Sequence, residues 1–251
     1  MEVRENSAGR LYDLLSQARS ISGNKPVRHI WSELFGFDSN DIEQVFIIVA
    51  DMINLVQAAK EDVSKLHGVN HELYLKPFGR VEGLLKIVNL DIPWDSIKGT
   101  LDEATMYGLQ ICSDALGRQR GTLKVDEDRI AEIQKDIEGL SGRVIALDIP
   151  GNIKQLIILN LDNIRKAIIT YRIKGVDGLQ AEIERAIGSI YLHQDEIKNV
   201  QEQPNVKDVI ATYFGTLEKI NQLIMFAKNI TEVALPYIPY IKQLLDRSVI
   251  S

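Results

Sequence analysis

Ile130, Ile133, Ile137, Leu140, Val144 and Leu147 step along the chain by three, four, three, four and three residues. A strand sends alternate side chains to one face and cannot collect that set. An α-helix, at about 3.6 residues per turn, lines all six along one stripe. Burying each such aliphatic side chain is worth roughly 1.5–3 kcal/mol. The seam therefore requires a partner helix packed against it.

Helical spacing recurs over almost the whole sequence, whereas alternating strand patterns between tight hairpin turns are nearly absent. A first helix is predicted over Ser7 to Ser20 through Leu11, Leu14, Leu15 and Ala18, stopped by Gly23-Asn-Lys-Pro26. A short helix carries Ile30, Trp31, Leu34 and Phe35. A long one starts near Ser39 or Asn40 and runs through Ile42, Val45, Val49, Met52, Val56, Ala59, Val63 and Leu66. The segment Leu73 to Val88 repeats the pattern, with Pro77 expected to break or begin its helix. Asp95 is read as the N-cap of a helix reaching Leu116.

Pro150-Gly151 separates the seam helix from one running to Lys174, whose Leu156-Ile-Ile-Leu159 run is too apolar for a surface helix and places it centrally. Gly175 stops it, and Asp177 caps a helix through Leu179, Ile183, Ile187 and Ile190. After Gln201-Glu-Gln-Pro204 a final region runs from Val206 to Ala227, and Pro236 and Pro239 interrupt its tail. The expected fold is all-α, an elongated bundle of about nine or ten helices with no sheet, with 1–251 as one domain. Any subdivision near 121–125 or 200–205 is expected to be weak, because short connections usually join packed antiparallel neighbours rather than independent domains.

Composition narrows the chemistry. Cys112 is the one cysteine of 251 residues, which excludes a disulfide framework and a cysteine zinc cage. The polar opening Met1-Glu-Val-Arg-Glu-Asn lacks the apolar stretch of a secretory signal, so the chain reads as cytoplasmic and of bacterial type. A formal net charge of −6 disfavours a nucleic-acid partner, despite small basic clusters at Arg118, Arg120, Lys124 and at Arg165, Lys166, Arg172, Lys174. Those clusters fit helix ends.

Catalytic and cofactor signatures are sparse. There is no glycine-rich phosphate loop with Lys and Ser/Thr, and no dinucleotide fingerprint, so no cofactor is expected. His67 and His71 are four apart with Glu72 adjacent, a minimal metal pair if they share a helical turn. Gly68 and Asn70 between them favour a solvated loop, and no metal is expected there. Cys112, between Ile111 and Ser113, reads as a small buried hydrophobe rather than a nucleophile. Asp102 with Glu103, Asp126 with Asp128, and Asp195 with Glu196 read as helix caps and solvated faces, and Asp51 as an exposed interruption of its apolar helix.

The leading expectation is a non-enzymatic helical interaction or regulatory protein, docking another protein or a second copy of itself helix to helix. An acidic neutralising partner of a toxin and a component of a bacterial antiviral defence system are concrete forms of that role. The expected surface is Ile130, Ile133, Ile137, Leu140, Val144 and Leu147 with Tyr213, Leu217, Ile220 and Ile224. A second expectation is membrane contact through residues 220–245, where Tyr237, Ile238, Tyr240 and Ile241 flank the prolines and Lys228, Glu232 and Lys242 are the formal charges. Asn221, Gln222, Asn229 and Thr231 there argue against a transmembrane crossing. A third is a helical metal-dependent hydrolase or nuclease whose ligands converge from distant positions.

Overall fold

The computed structural model describes residues 2–4, 6–87, 89–120, 124–200, 204–228 and 235–245. Both connectors read as subdivisions, 121–123 and 201–203, lie outside the described residues, as do Asn229, Thr231 and Glu232. The fold is all-α, with eleven helices among the described residues. Two three-residue strands among the described residues, β1 (Glu2–Arg4) and β2 (Lys124–Asp126), make a minimal two-stranded sheet, and an isolated antiparallel bridge pairs Pro26 with Pro93. The chain divides into two compact units, one of Glu2–Lys124 with Arg172–Gly175, the other of Val125–Tyr171 and the residues from Val176 on.

The N-terminal unit is built on α1 (Ser7–Ser20), which packs on both α3 (Ile42–Ser64) and α5 (Glu103–Arg120). The Asn6 side chain accepts from the Gly9 amide at 2.7 Å, supplying one of the partners that a helix start lacks. α2 (Val27–Phe35) ends on Gly36 at φ +71°. Its Trp31 meets Trp94 edge to face at 6.0 Å, and the Trp94 indole N–H donates to the Ala18 carbonyl at 3.0 Å. That bond satisfies the one polar atom of a fully buried ring.

Two sequence expectations need correction here. Pro77 neither breaks nor begins a helix: α4 (His71–Leu85) is continuous around it and starts at Asn70, whose side chain accepts from the Leu73 amide at 3.3 Å. Proline removes the amide that would bond the Leu73 carbonyl. The Cys112 thiol donates to the neighbouring Tyr74 carbonyl at 3.2 Å, and the proline ring packs against Gly108 of α5, so the fold absorbs it. Asp95 caps no long helix either, because Trp94–Ser96 and Lys98–Thr100 are single 3₁₀ turns. The cap of α5 is Asp102, which accepts from the Thr105 amide at 2.8 Å and its hydroxyl at 2.7 Å. Those bonds hold the Asp102 carboxyl below its ordinary pKa of 3.8, with Arg80 adding a smaller pull.

The C-terminal unit holds α6 (Glu127–Ala146), α7 (Gly151–Ile169), α8 (Tyr171–Leu192), α9 (Gln194–Val200), α10 (Pro204–Lys228) and α11 (Tyr237–Leu245). α6 packs on α7 and α10, and α11 on α9 and α10. Asn221, one of the polar interruptions noted in the sequence, is buried and accepts from the Leu235 amide at 3.0 Å. Its polarity serves the loop that leads into α11.

Gly175 interrupts α8 at φ +65° and ψ −164°. Just before it, Arg172–Gly175 belong to the N-terminal unit. Ile173 is only 2% exposed in that unit's core. The Arg172 guanidinium donates to the Leu34 carbonyl at 3.2 Å and to Gln17, while Arg10 Nε donates to the Ile173 carbonyl at 3.1 Å. Lys174 pairs with Asp51 at 3.0 Å.

Candidate functional site

The seam expected to face a partner is interior. Ile133, Ile137, Leu140 and Val144 are buried, and Ile130 and Leu147 at its ends are half-buried. The helices that cover α6 are α7 and α10 of the same unit. Tyr213, Leu217, Ile220 and Ile224 of α10 are likewise buried. Periodicity reports that a stripe is covered, but not by which chain, and here the cover is intramolecular. Eight of the ten residues are core, and Ile130 and Leu147 flank it.

The C-terminal tyrosines and isoleucines separate by face. Tyr237 and Tyr240 are more than half exposed, whereas Ile238 and Ile241 are buried where α11 packs. The four therefore do not share one outward surface. Lys228 is engaged with Asp177 at 2.7 Å and with Gln180 at 2.6 Å.

Four of the candidate reactive groups have partners in the structure. His71 opens α4 with its ring Nε2 at 2.9 Å from the Leu66 carbonyl, and His193 places Nδ1 at 2.9 Å from the Ser189 carbonyl. Cys112 is fully buried, and burial pushes its thiol up to about 12, far from the thiolate that nucleophilic chemistry needs. Asp51 differs from the expected exposed residue: its side chain is 13% exposed and pairs with Lys174. Arg165 and Lys166 both converge on Asp162, at 2.8 and 2.9 Å. Burial alone would raise the Asp162 pKa, yet hydrogen bonds from Lys166 and Arg165 hold it below 3.8. Among the described residues no three His, Cys, Asp or Glu side chains are grouped to hold a metal ion.

What stands out instead is apolar surface on α3. Its inner face is core: Val45, Ile48, Met52, Leu55, Val56, Ala59 and Val63 are all buried. On its outer face Ile42, Phe46 and Ile53 remain 42%, 51% and 38% exposed, and at 100° per residue they fall within about 40° of one another. Ile47 is also exposed, further round the helix. The sequence pattern places Ile42 in the buried stripe and leaves Phe46, Ile47 and Ile53 unassigned, because α3 is apolar on both sides. The available signal was excess: Val45-Phe-Ile-Ile-Val-Ala50 has more apolar residues than a single contact face can take. α3 is also the one described helix long and apolar enough to cross a membrane by length and composition, with a third of its most apolar window buried in the protein.

Comparison with known protein families, characterised proteins and solved structures yields no match.

Proposed function

We propose that this chain is a helical interaction protein without chemistry of its own, which docks an amphipathic helix of another protein, or of a second copy, on the outer face of α3. The observation that carries the reading is the aligned exposure of Ile42, Phe46 and Ile53 on a helix whose opposite face anchors the unit's core. Aliphatic and aromatic anchors at this spacing are the currency of helix-to-helix docking. A contiguous exposed apolar row marks such sites on soluble proteins. The inner face of α3 favours docking over membrane crossing, because crossing would strip seven buried side chains out of the core. A cytoplasmic location suits this role. Net charge −6 suits a basic partner, and an acidic neutraliser of a toxin or a component of a bacterial antiviral system are its concrete forms.

The test is light scattering across a concentration series, together with affinity purification from the native cell, on the wild type and on Phe46→Glu with Ile53→Glu. Both substitutions replace exposed side chains, and an unchanged circular dichroism spectrum is the control for an intact fold. The expected result is a defined oligomer or a stoichiometric protein that both variants lose. A monomer with no stoichiometric companion, or a companion that both variants retain, overturns the reading. So does flotation with anionic vesicles that the variants abolish, which would make the same face a lipid contact.

A further inference from the structure

We infer that the groove between α4 and α5 is a binding site for a small anionic amphiphile of the long-chain carboxylate class. The two helices run antiparallel, since Arg80 pairs with Asp102 while the Cys112 thiol reaches the Tyr74 carbonyl. Between them lies an open cavity of about 420 Å³, within the size range of small-molecule sites. Its walls repeat one spacing on both sides: Leu73, Lys76, Pro77 and Arg80 on α4, and Ala104, Tyr107, Gly108 and Ile111 on α5. Gly108 has no side chain to fill the floor, so the Pro77 ring closes it.

The groove has a direction. At one end Leu73 and Ile111 present apolar groups beside the Tyr74 carbonyl that Cys112 caps. Toward the other lie Lys76 and then Arg80, one turn apart. Leu73 and Tyr107 are 63% and 64% exposed, apolar surface that an alkyl tail would cover. Arg80 is held by Asp102, but Lys76 makes no ion pair among the described residues, so its charge is free for a carboxylate. The eight residues from Leu73 to Arg80 rise about 10 Å, two helical turns, which is short for a partner helix, while the cavity volume takes a single tail with one head group.

The test is isothermal titration of the full chain with dodecanoate below its micelle range. Dodecyltrimethylammonium serves as the probe with the same tail and the opposite head charge. Saturable binding at one site per chain is expected for dodecanoate and none for the cation. Lys76→Gln should weaken dodecanoate by roughly tenfold or more, the scale of one lost charge-assisted hydrogen bond. Leu73→Ser removes an exposed tail contact without threatening the fold and should weaken binding as well. Ile145→Ser, which removes an exposed apolar group of the C-terminal unit, should change nothing. Absence of saturable heat up to about 1 mM overturns the inference. So does equal binding of the two probes, or dodecanoate binding that survives both groove substitutions. None of these results bears on the α3 face, which Phe46→Glu tests separately.

Discussion

Gly175 is the residue on which local conformation depends most. Its φ of +65° with ψ of −164° lies in a region that residues with a Cβ essentially do not occupy. A Cβ built there would also stand 2.6 Å from the Arg10 guanidinium, which is tied down by the Arg10 Nε bond to the Ile173 carbonyl. Gly175→Ala should therefore destabilise the protein by about 1–3 kcal/mol, mostly from backbone strain. Urea unfolding measures this through the midpoint at unchanged slope. A shift under about 0.5 kcal/mol would mean that the backbone relaxes without loss and that the break in α8 is not enforced by glycine. The sequence pointed to a stop at Gly175 through the helix-end pattern Tyr171-Arg-Ile-Lys. It could not reveal that Ile173 and Arg172 serve the core and carbonyls of the N-terminal unit, because residues 10, 17 and 34 are far away in sequence.

Between elements, packing rather than propensity decided where sequence reasoning succeeded. α1 and the α6 seam were legible because each buries one regular stripe, and their boundaries follow from caps and periodicity. Pro77 misled for the opposite reason. Its helix-breaking tendency is an isolated-chain property, and tertiary contact overrides it. Gly108 of α5 is what makes the accommodation work: an added Cβ would lie 3.0 Å from Pro77 Cγ and 3.1 Å from its Cβ, closer than ordinary carbon contacts. Gly108→Ala should then destabilise by about 1 kcal/mol through overpacking, despite alanine's better helix propensity. In a Pro77→Ala background the ring is gone, so the same substitution should become neutral or stabilising. A double-mutant cycle would show coupling of at least about 0.5 kcal/mol. Additive effects would place the strain elsewhere than at this contact. The outer face of α3 was not legible by the same logic. An apolar residue that faces solvent and one that faces the core look alike in sequence when the helix is apolar all round.

At the scale of the whole molecule, the composition and the two cores allow each unit to be observed separately. Both tryptophans of the chain, Trp31 and Trp94, lie in the core of the N-terminal unit, so tryptophan fluorescence reports that unit. Circular dichroism reports helices of both. Ile137 is fully buried in the C-terminal unit, where α6 meets its neighbours, and Ile137→Ala should cost about 2–5 kcal/mol there. Arg172→Ala instead removes donors to the Leu34 carbonyl and Gln17 in the N-terminal unit. If each unit's stability rests on its own core, Ile137→Ala moves the dichroism transition to lower denaturant and leaves the fluorescence midpoint in place, while Arg172→Ala lowers the fluorescence midpoint. Coincident transitions that shift together in both variants would instead show one cooperative fold.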